Sequence, residues 1–313
     1  MNRRSRAALA THVARRVALW LCVWTVAGSL LPVPLGCASS LMLPAGLATR
    51  YPPPELAAPG QRTAVLVENA AGERLEGALY SWPGDRGTLL VSGGNAMSRS
   101  ETEHYVTFLH RQGFRVLVFS FQGYDDNGGK PALASLPTDA AAFFRFARER
   151  DPEEPVGYLA SSISTVAAQC LPALEPDLAV LILEGAVDAP RIGFAKVTER
   201  PAFWPLLPLT WPIAFGVSLD VPDGVDPRRC FGAPGVDSVP ALYLHHPDDA
   251  VVPYSGARDL FDRYPGPSRF LDLTVKRHPT AHLLLSQDDG ARRAVVEFAR
   301  RHLLGEPAIA GSR

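Results

Sequence analysis

The sequence predicts an α/β fold in which a mostly parallel sheet carries helices on both faces. Three observations lead there. Short apolar runs of about five or six residues recur at 88–92, 115–120, 156–160, 178–183, 241–245 and 270–275. Without polar alternation, such runs suit strands covered on both faces. Helical stretches separate most of them, at 101–111, 138–148, 162–171 and 288–304, and repeated β-α-β units imply a parallel sheet. The chain has 313 residues, 47% of them apolar and 20% charged, which is enough to bury a core and excludes disorder as its main state.

Taken in order, residues 1–36 read as an export signal. Arg3, Arg4, Arg6, Arg15 and Arg16 precede or open an apolar run over 17–31, and no acid interrupts them. A basic start, an apolar middle and a small residue before a break make such an address. The run is short of the ~20 residues of a membrane span, although extension to Leu35 approaches it. Gly36-Cys37 resembles the end of a bacterial lipobox, which implies lipidation of Cys37 and a membrane anchor at the N-terminus; Pro34 stands where that motif usually has Leu. Cleavage after Ala38 would instead release the chain, and retention would leave a single anchor. All three readings place the folded part outside the cytoplasm, in the cell envelope or beyond. Residues 37–61, with Pro44, Pro52, Pro53 and Pro54, read as a semi-rigid spacer.

The folded domain is expected over 62–305, with a short tail at 306–313. It opens with alternating strands at 63–68 and 75–80, joined by Asn69, Ala70, Ala71 and Gly72 as a hairpin. Thr138, after Pro137, is the expected N-cap of the second helix, and Gly305 the stop of the last. Residues 188–236 break the rhythm. Phe194, Phe203, Trp204, Trp211 and Phe215 lie there among Pro201, Pro205, Pro208 and Pro212, so no long helix can form. The stretch reads as an insertion over the carboxyl ends of the strands, where open α/β sheets hold ligands. If it lines a site, it favours an apolar acyl or aromatic group.

Charge excludes one class of partner. Net charge is −1, and the five N-terminal arginines leave 26 basic against 32 acidic residues elsewhere, so no nucleic-acid-binding face is expected. Cys170 and Cys230 can pair in an oxidising compartment, but two buried free thiols are the plainer expectation. No Cys/His spacing suggests a metal site. His245 and His246 are adjacent at a strand end and should point apart.

In a parallel sheet, the residues just past the strand ends converge on one rim. Ser161-Ser162 follows the run at 156–160; His246, Asp248 and Asp249 follow that at 241–245; His278 and His282 follow that at 270–275. A serine, an acid and a histidine in that chain order resemble the α/β-hydrolase superfamily. The resemblance covers residues 62–304 and is nearest the serine-aminopeptidase and acyl-esterase-like branch. The stretches 72–77 (GERLEG), 91–95 (VSGGN), 122–131 (QGYDDNGGKP) and 245–253 (HHPDDAVVP) are each similar to a family motif and occur in the family's order.

The resemblance implies acyl transfer onto Ser162, with no metal or cofactor, from an ester, thioester or amide substrate. His282 would be the general base, and Asp249 would fix its tautomer. The backbone N–H of Ile163 and one from the 93–95 loop, assigned to Gly94, would receive the oxyanion. Ser161, Asp248 or Asp188, and His278 are the alternatives for the three roles. Two departures stand out: Ser164 replaces the elbow's second glycine, adding bulk and a competing hydroxyl, and Ser92 stands where a histidine is common. They also support an alternative, a catalytically silent envelope protein that uses the fold for binding.

Overall fold

The computed structural model describes residues 51–95, 97–192, 221–275 and 281–307. The predicted export signal, Cys37, the aromatic part of the insertion and His278 lie outside the described residues. The sheet has eight strands: β1 (Gln61–Glu68), β2 (Arg74–Ser81), β3 (Thr88–Ser92), β4 (Arg115–Phe119), β5 (Val156–Ser161), β6 (Val180–Glu184), β7 (Ala241–His245) and β8 (Ser268–Asp272). Their spatial order is β1-β2-β4-β3-β5-β6-β7-β8. The β1–β2 hairpin and the β2–β4 pair are antiparallel, and every other pair is parallel. The helices are α1 (Arg99–Tyr105), α2 (Leu136–Arg150), α3 (Ser164–Leu174), α4 (Pro227–Cys230), α5 (Tyr254–Arg263) and α6 (Asp289–Leu304).

Continuous apolar strands are explained by two cores, one on each face. Leu90, Tyr158, Ala160 and Tyr243 face a core with α2, α3 and α5, whereas Leu89, Val91, Leu159, Leu242 and Leu244 face one with α6. Period-two alternation thus sends apolar side chains both ways. In the hairpin turn, Gly72 takes a φ of 79°, and Asn69 Oδ1 accepts from Ala71 N and Glu73 N.

Several boundaries differ from expectation. α2 begins two residues before Thr138: Pro137 lies in its first turn, where a missing N–H costs nothing, and Thr138 Oγ1 donates to Ser135 O instead of capping. α1 stops at Tyr105 and a 3-10 turn carries on to Leu109. β8 lies two to three residues earlier than the apolar run that pointed to it. α5 was not expected, because Gly256 and two polar turns blurred its pattern. α6 starts as read, with Asp288 capping Ala291 N, and Gly305 ends it at φ 68°.

Cys170 in α3 and Cys230 at the end of α4 form a disulfide, with Cα atoms 5.0 Å apart. The expectation of two free thiols is therefore corrected. Sequence separation of 60 residues hid the pairing, since only the fold brings α4 onto α3. Asp188 also pairs with Arg228, so the two ends of the insertion are joined. At the amino end, Tyr51 N donates to Ser100 Oγ at 3.0 Å, and His104 Nε2 donates to Pro52 O at 2.8 Å. The last part of the Pro-rich segment thus rests on α1.

Candidate active site

β5 ends at Ser161 and α3 begins at Ser164, so the chain must turn sharply between them. Ser162 makes that turn with φ 56°, a left-handed conformation that strains any residue with a Cβ by ~1–3 kcal/mol. Its N–H donates to Glu184 O at 2.8 Å, and its carbonyl accepts from Thr165 N at 2.9 Å and Thr165 Oγ1 at 2.6 Å. These bonds hold the turn and present the hydroxyl toward β7. Ala160 is fully buried and small enough to leave room. Ser164 does not compete with the Ser162 turn; its hydroxyl donates to Gly93 O in the loop after β3.

Asp249 lies in the loop after β7. Its Oδ1 accepts from Val251 N at 2.7 Å and Val252 N at 2.8 Å, which fixes the carboxylate. Its Oδ2 accepts from His282 Nδ1 at 2.7 Å, and His282 Nε2 lies 3.0 Å from Ser162 Oγ. A carboxylate can only accept, so the proton of neutral His282 sits on Nδ1 and Nε2 is free to receive the serine proton. Ala281 and Leu283, on either side of His282, have φ of 49° and 54°. The histidine is therefore delivered on a strained hairpin of backbone. Behind Asp249, His245 Nε2 donates to Val252 O at 3.0 Å and lies 3.6 Å from Asp249 Oδ2. Burial holds the His245 pKa below the ordinary range, so this imidazole stays neutral.

The alternatives fall elsewhere. Ser161 turns into the core and donates to Glu184 Oε2 at 2.9 Å. Asp248 is exposed, its N–H donating to His246 Nδ1. Asp188 is paired with Arg228. His245 and His246 bind different carbonyls, of Val252 and Val275. Among the described residues, no group of three or more His, Cys, Asp or Glu is placed to hold a metal ion.

The oxyanion loop differs from expectation in one atom. Ser164 holds the Gly93 carbonyl, and a planar trans peptide then turns the Gly94 N–H the opposite way. That N–H donates to Met97 Sδ at 3.2 Å, so the donor assigned from sequence is already engaged. Among the described residues, the N–H groups of Ile163 and Asn95 have no acceptor. The site is close: a Cβ added to Gly94 would lie 3.4 Å from Ser162 Cβ. Ser92, at the usual histidine position, is buried against Tyr158, its Oγ 2.6 Å from the phenol oxygen. A small cavity opens beside the loop, lined by Gly94, Met97, Phe121, Tyr124 and Ile163.

Sequence reasoning missed Glu184, Tyr105 and Met97. The signal for Glu184 was present: an acid closes an otherwise apolar strand, VLILE.

The fold is shared with solved esterases. The Pyrococcus furiosus esterase PF2001 superposes with a TM-score of 0.61 at 16% identity, over 80% of this chain and 97% of its own. By sequence, the chain is 27% identical over 252 residues to uncharacterized protein MT2364 of Mycobacterium tuberculosis, covering 79% of this chain and 80% of that protein. It is 27% identical over 195 residues to the alpha/beta hydrolase domain-containing protein aho-3 of Caenorhabditis elegans, over 58% of this chain and 49% of the relative. The chain has the α/β-hydrolase fold, and its sequence relatives include alpha/beta hydrolase domain-containing proteins. No family model matches it. Against the motifs the sequence resembles, the stretch after β3 keeps its glycines but has Ser92 in the histidine's place, and the elbow has Ser164 in a glycine's place.

Proposed function

We propose that this α/β-hydrolase is a serine hydrolase that cleaves a carboxylic ester through an acyl-Ser162 intermediate. The observation that carries the reading is the continuous chain from Asp249 Oδ2 through His282 to Ser162 Oγ, at 2.7 and 3.0 Å. Ser162 attacks the ester carbonyl as His282 Nε2 takes its proton. Negative charge develops on the carbonyl oxygen at the amino end of α3, where the Ile163 N–H has no other acceptor among the described residues and the helix dipole favours an anion. The loop after β3 supplies the second donor, from Asn95 or from a Gly94 N–H that leaves Met97. Thioether sulfur is a weak acceptor, and an oxyanion would displace it. His282 then returns the proton to the departing alcohol. Water repeats the sequence on the acyl-enzyme, with Asp249 holding the imidazolium in place throughout.

Extracytoplasmic location, with Cys37 as a lipid anchor, is part of the same proposal. It is supported by the basic-then-apolar N-terminus and by the Cys170–Cys230 disulfide, which is at home in an oxidising compartment.

The test is labelling of the purified mature protein by a fluorescent fluorophosphonate, beside Ser162→Ala and Ser161→Ala. Labelling and ester hydrolysis lost only in Ser162→Ala, with kcat down roughly 10⁴-fold or more, is the expected result. A folded wild type that takes no label and hydrolyses no ester would show the fold serving as a silent binding module.

A further inference from the structure

Glu184, at the end of β6, is 1% exposed, and it lies behind the Ser162 turn. Its backbone carbonyl holds the Ser162 N–H at 2.8 Å, and its carboxylate gathers donors from three separate parts of the chain. Oε1 accepts from Tyr105 O–H at 2.7 Å and Leu285 N–H at 2.8 Å. Oε2 accepts from Ser161 O–H at 2.9 Å and from the same Tyr105 hydroxyl at 2.9 Å. These donors come from α1, from the residue before the nucleophile, and from three residues beyond His282. The next residue, Gly185, lies against the imidazole: a Cβ placed there would sit 3.4 Å from His282 Cε1 and 3.7 Å from Nδ1.

The donor set bears on charge. Leu285 N–H can only donate, and the hydroxyls of Tyr105 and Ser161 can each donate as well, so the set can hold an anion with three donors. Among the described residues, no arginine, lysine or histidine forms an ion pair with it. Burial pushes the Glu184 pKa up. The bonds from Tyr105, Leu285 and Ser161, followed by the nearby charge of His282, offset part of that rise, and the net direction stays upward. Burial also raises the Tyr105 phenol far above its usual value, so it stays a donor.

We infer that Glu184 is a positioning residue of the hydrolytic site: its buried negative charge stabilises His282 as an imidazolium while its hydrogen bonds lock the Ser162 turn to the His282 loop. It acts through His282 and touches neither substrate nor the imidazole nitrogens. Asp249, on Nδ1, sets the tautomer; Glu184, on the other side of Gly185, supplies further negative potential. The groups facing the pair are Tyr105 from α1, Ser161 and Ser162 from β5 and its turn, Asp249 and neutral His245 from β7 and its loop, and Leu285 from the segment before α6. This inference rests on the reading of Ser162 and His282 as nucleophile and base.

Glu184→Gln keeps the size and removes the charge. The imidazole pKa of His282 is read by nitrogen NMR in the resting protein, where no turnover is needed. It should fall by about one unit, because a nearby anion no longer favours the cation. The acid limb of the kcat/KM profile should move down by the same amount, with plateau kcat lower by about tenfold and KM nearly unchanged. Glu184→Asp, which keeps the charge, should retain the wild-type His282 pKa even where kcat drops. A folded Glu184→Gln whose His282 pKa and acid limb do not move overturns the inference and leaves Glu184 a structural tie. If Glu184→Gln does not fold, carboxyl carbon NMR of the wild type decides: ionised Glu184 at pH 7 is expected, and a neutral one overturns the proposal. Hydrolysis that survives Ser162→Ala would instead sink the underlying reading, independently of what His282 titration reports.

Discussion

Two buried glutamates, Glu103 and Glu184, are handled in opposite ways by the two ends of the strands' rim. Each is 1% exposed and each is bonded to a tyrosine, and α1 supplies a member of both clusters. Glu103, under the antiparallel edge, also meets Arg62 at 2.9 Å and Arg99 at 3.2 Å, so its charge is matched by cations. Among the described residues, Glu184, behind the Ser162 turn, meets only neutral donors. Removing one partner of a buried ion pair costs about 3 kcal/mol or more, so the two carboxyls should respond differently when their charge is removed.

The largest effect that would sharpen this contrast is at the acid end of the site. Asp249→Asn should lower kcat by about 10⁴-fold, close to 5 kcal/mol, because an amide hydrogen bond at Nδ1 favours the wrong tautomer. Folding should be preserved, and burst kinetics with a chromogenic ester would read the loss. Next, replacing Cys170 and Cys230 together by alanine frees a loop of 60 residues, worth about 4 kcal/mol by chain entropy. Urea unfolding should show the loss while kcat of the folded fraction stays within a few-fold.

Glu103→Gln tests the other side of the comparison. It should cost about 3 kcal/mol in urea unfolding by stranding Arg62 and Arg99, with the pH–rate profile unmoved. A shift in that profile would break the division between structural and functional glutamates. Smaller still, Ser164→Gly restores the residue usual in the family yet releases the Gly93 carbonyl. Loss of one such buried bond predicts a drop in kcat of about tenfold, visible in steady-state kinetics.

An effect confined to acid pH belongs to His110, stacked on Tyr80 with ring centroids 4.7 Å apart. Burial lowers its pKa to about 4, while Glu103 opposes the fall. A depressed folded pKa means the unfolded chain binds the proton more readily, so stability present above about pH 6.5 is lost as pH falls toward 4. Melting temperatures across that window should fall more steeply in the wild type than in His110→Phe, which keeps the stacking.

Much of this could be read in the amino-acid order, and the reason is local. Apolar runs, the Asn69–Gly72 turn and the Asp288 and Gly305 caps depend on neighbours within a few residues. Ser162, Asp249 and His282 were legible because each follows a strand, and strand ends in a parallel sheet share a rim. What escaped depends on distant partners. Cys230 reaches α3 only through the folded insertion; Tyr105 reaches Glu184 across 79 residues of chain. The orientation of the Gly93–Gly94 peptide is set by a hydroxyl 71 residues further on, so no local pattern signals that Gly94 N–H turns to Met97.

The pinned ends of the insertion have a mechanical consequence. Asp188 and Arg228 close it at the base, and the Cys230 bond anchors its exit to α3, the helix that follows the Ser162 turn. A pull on the chain between these ties is carried by the ion pair and the disulfide before it reaches Ser162.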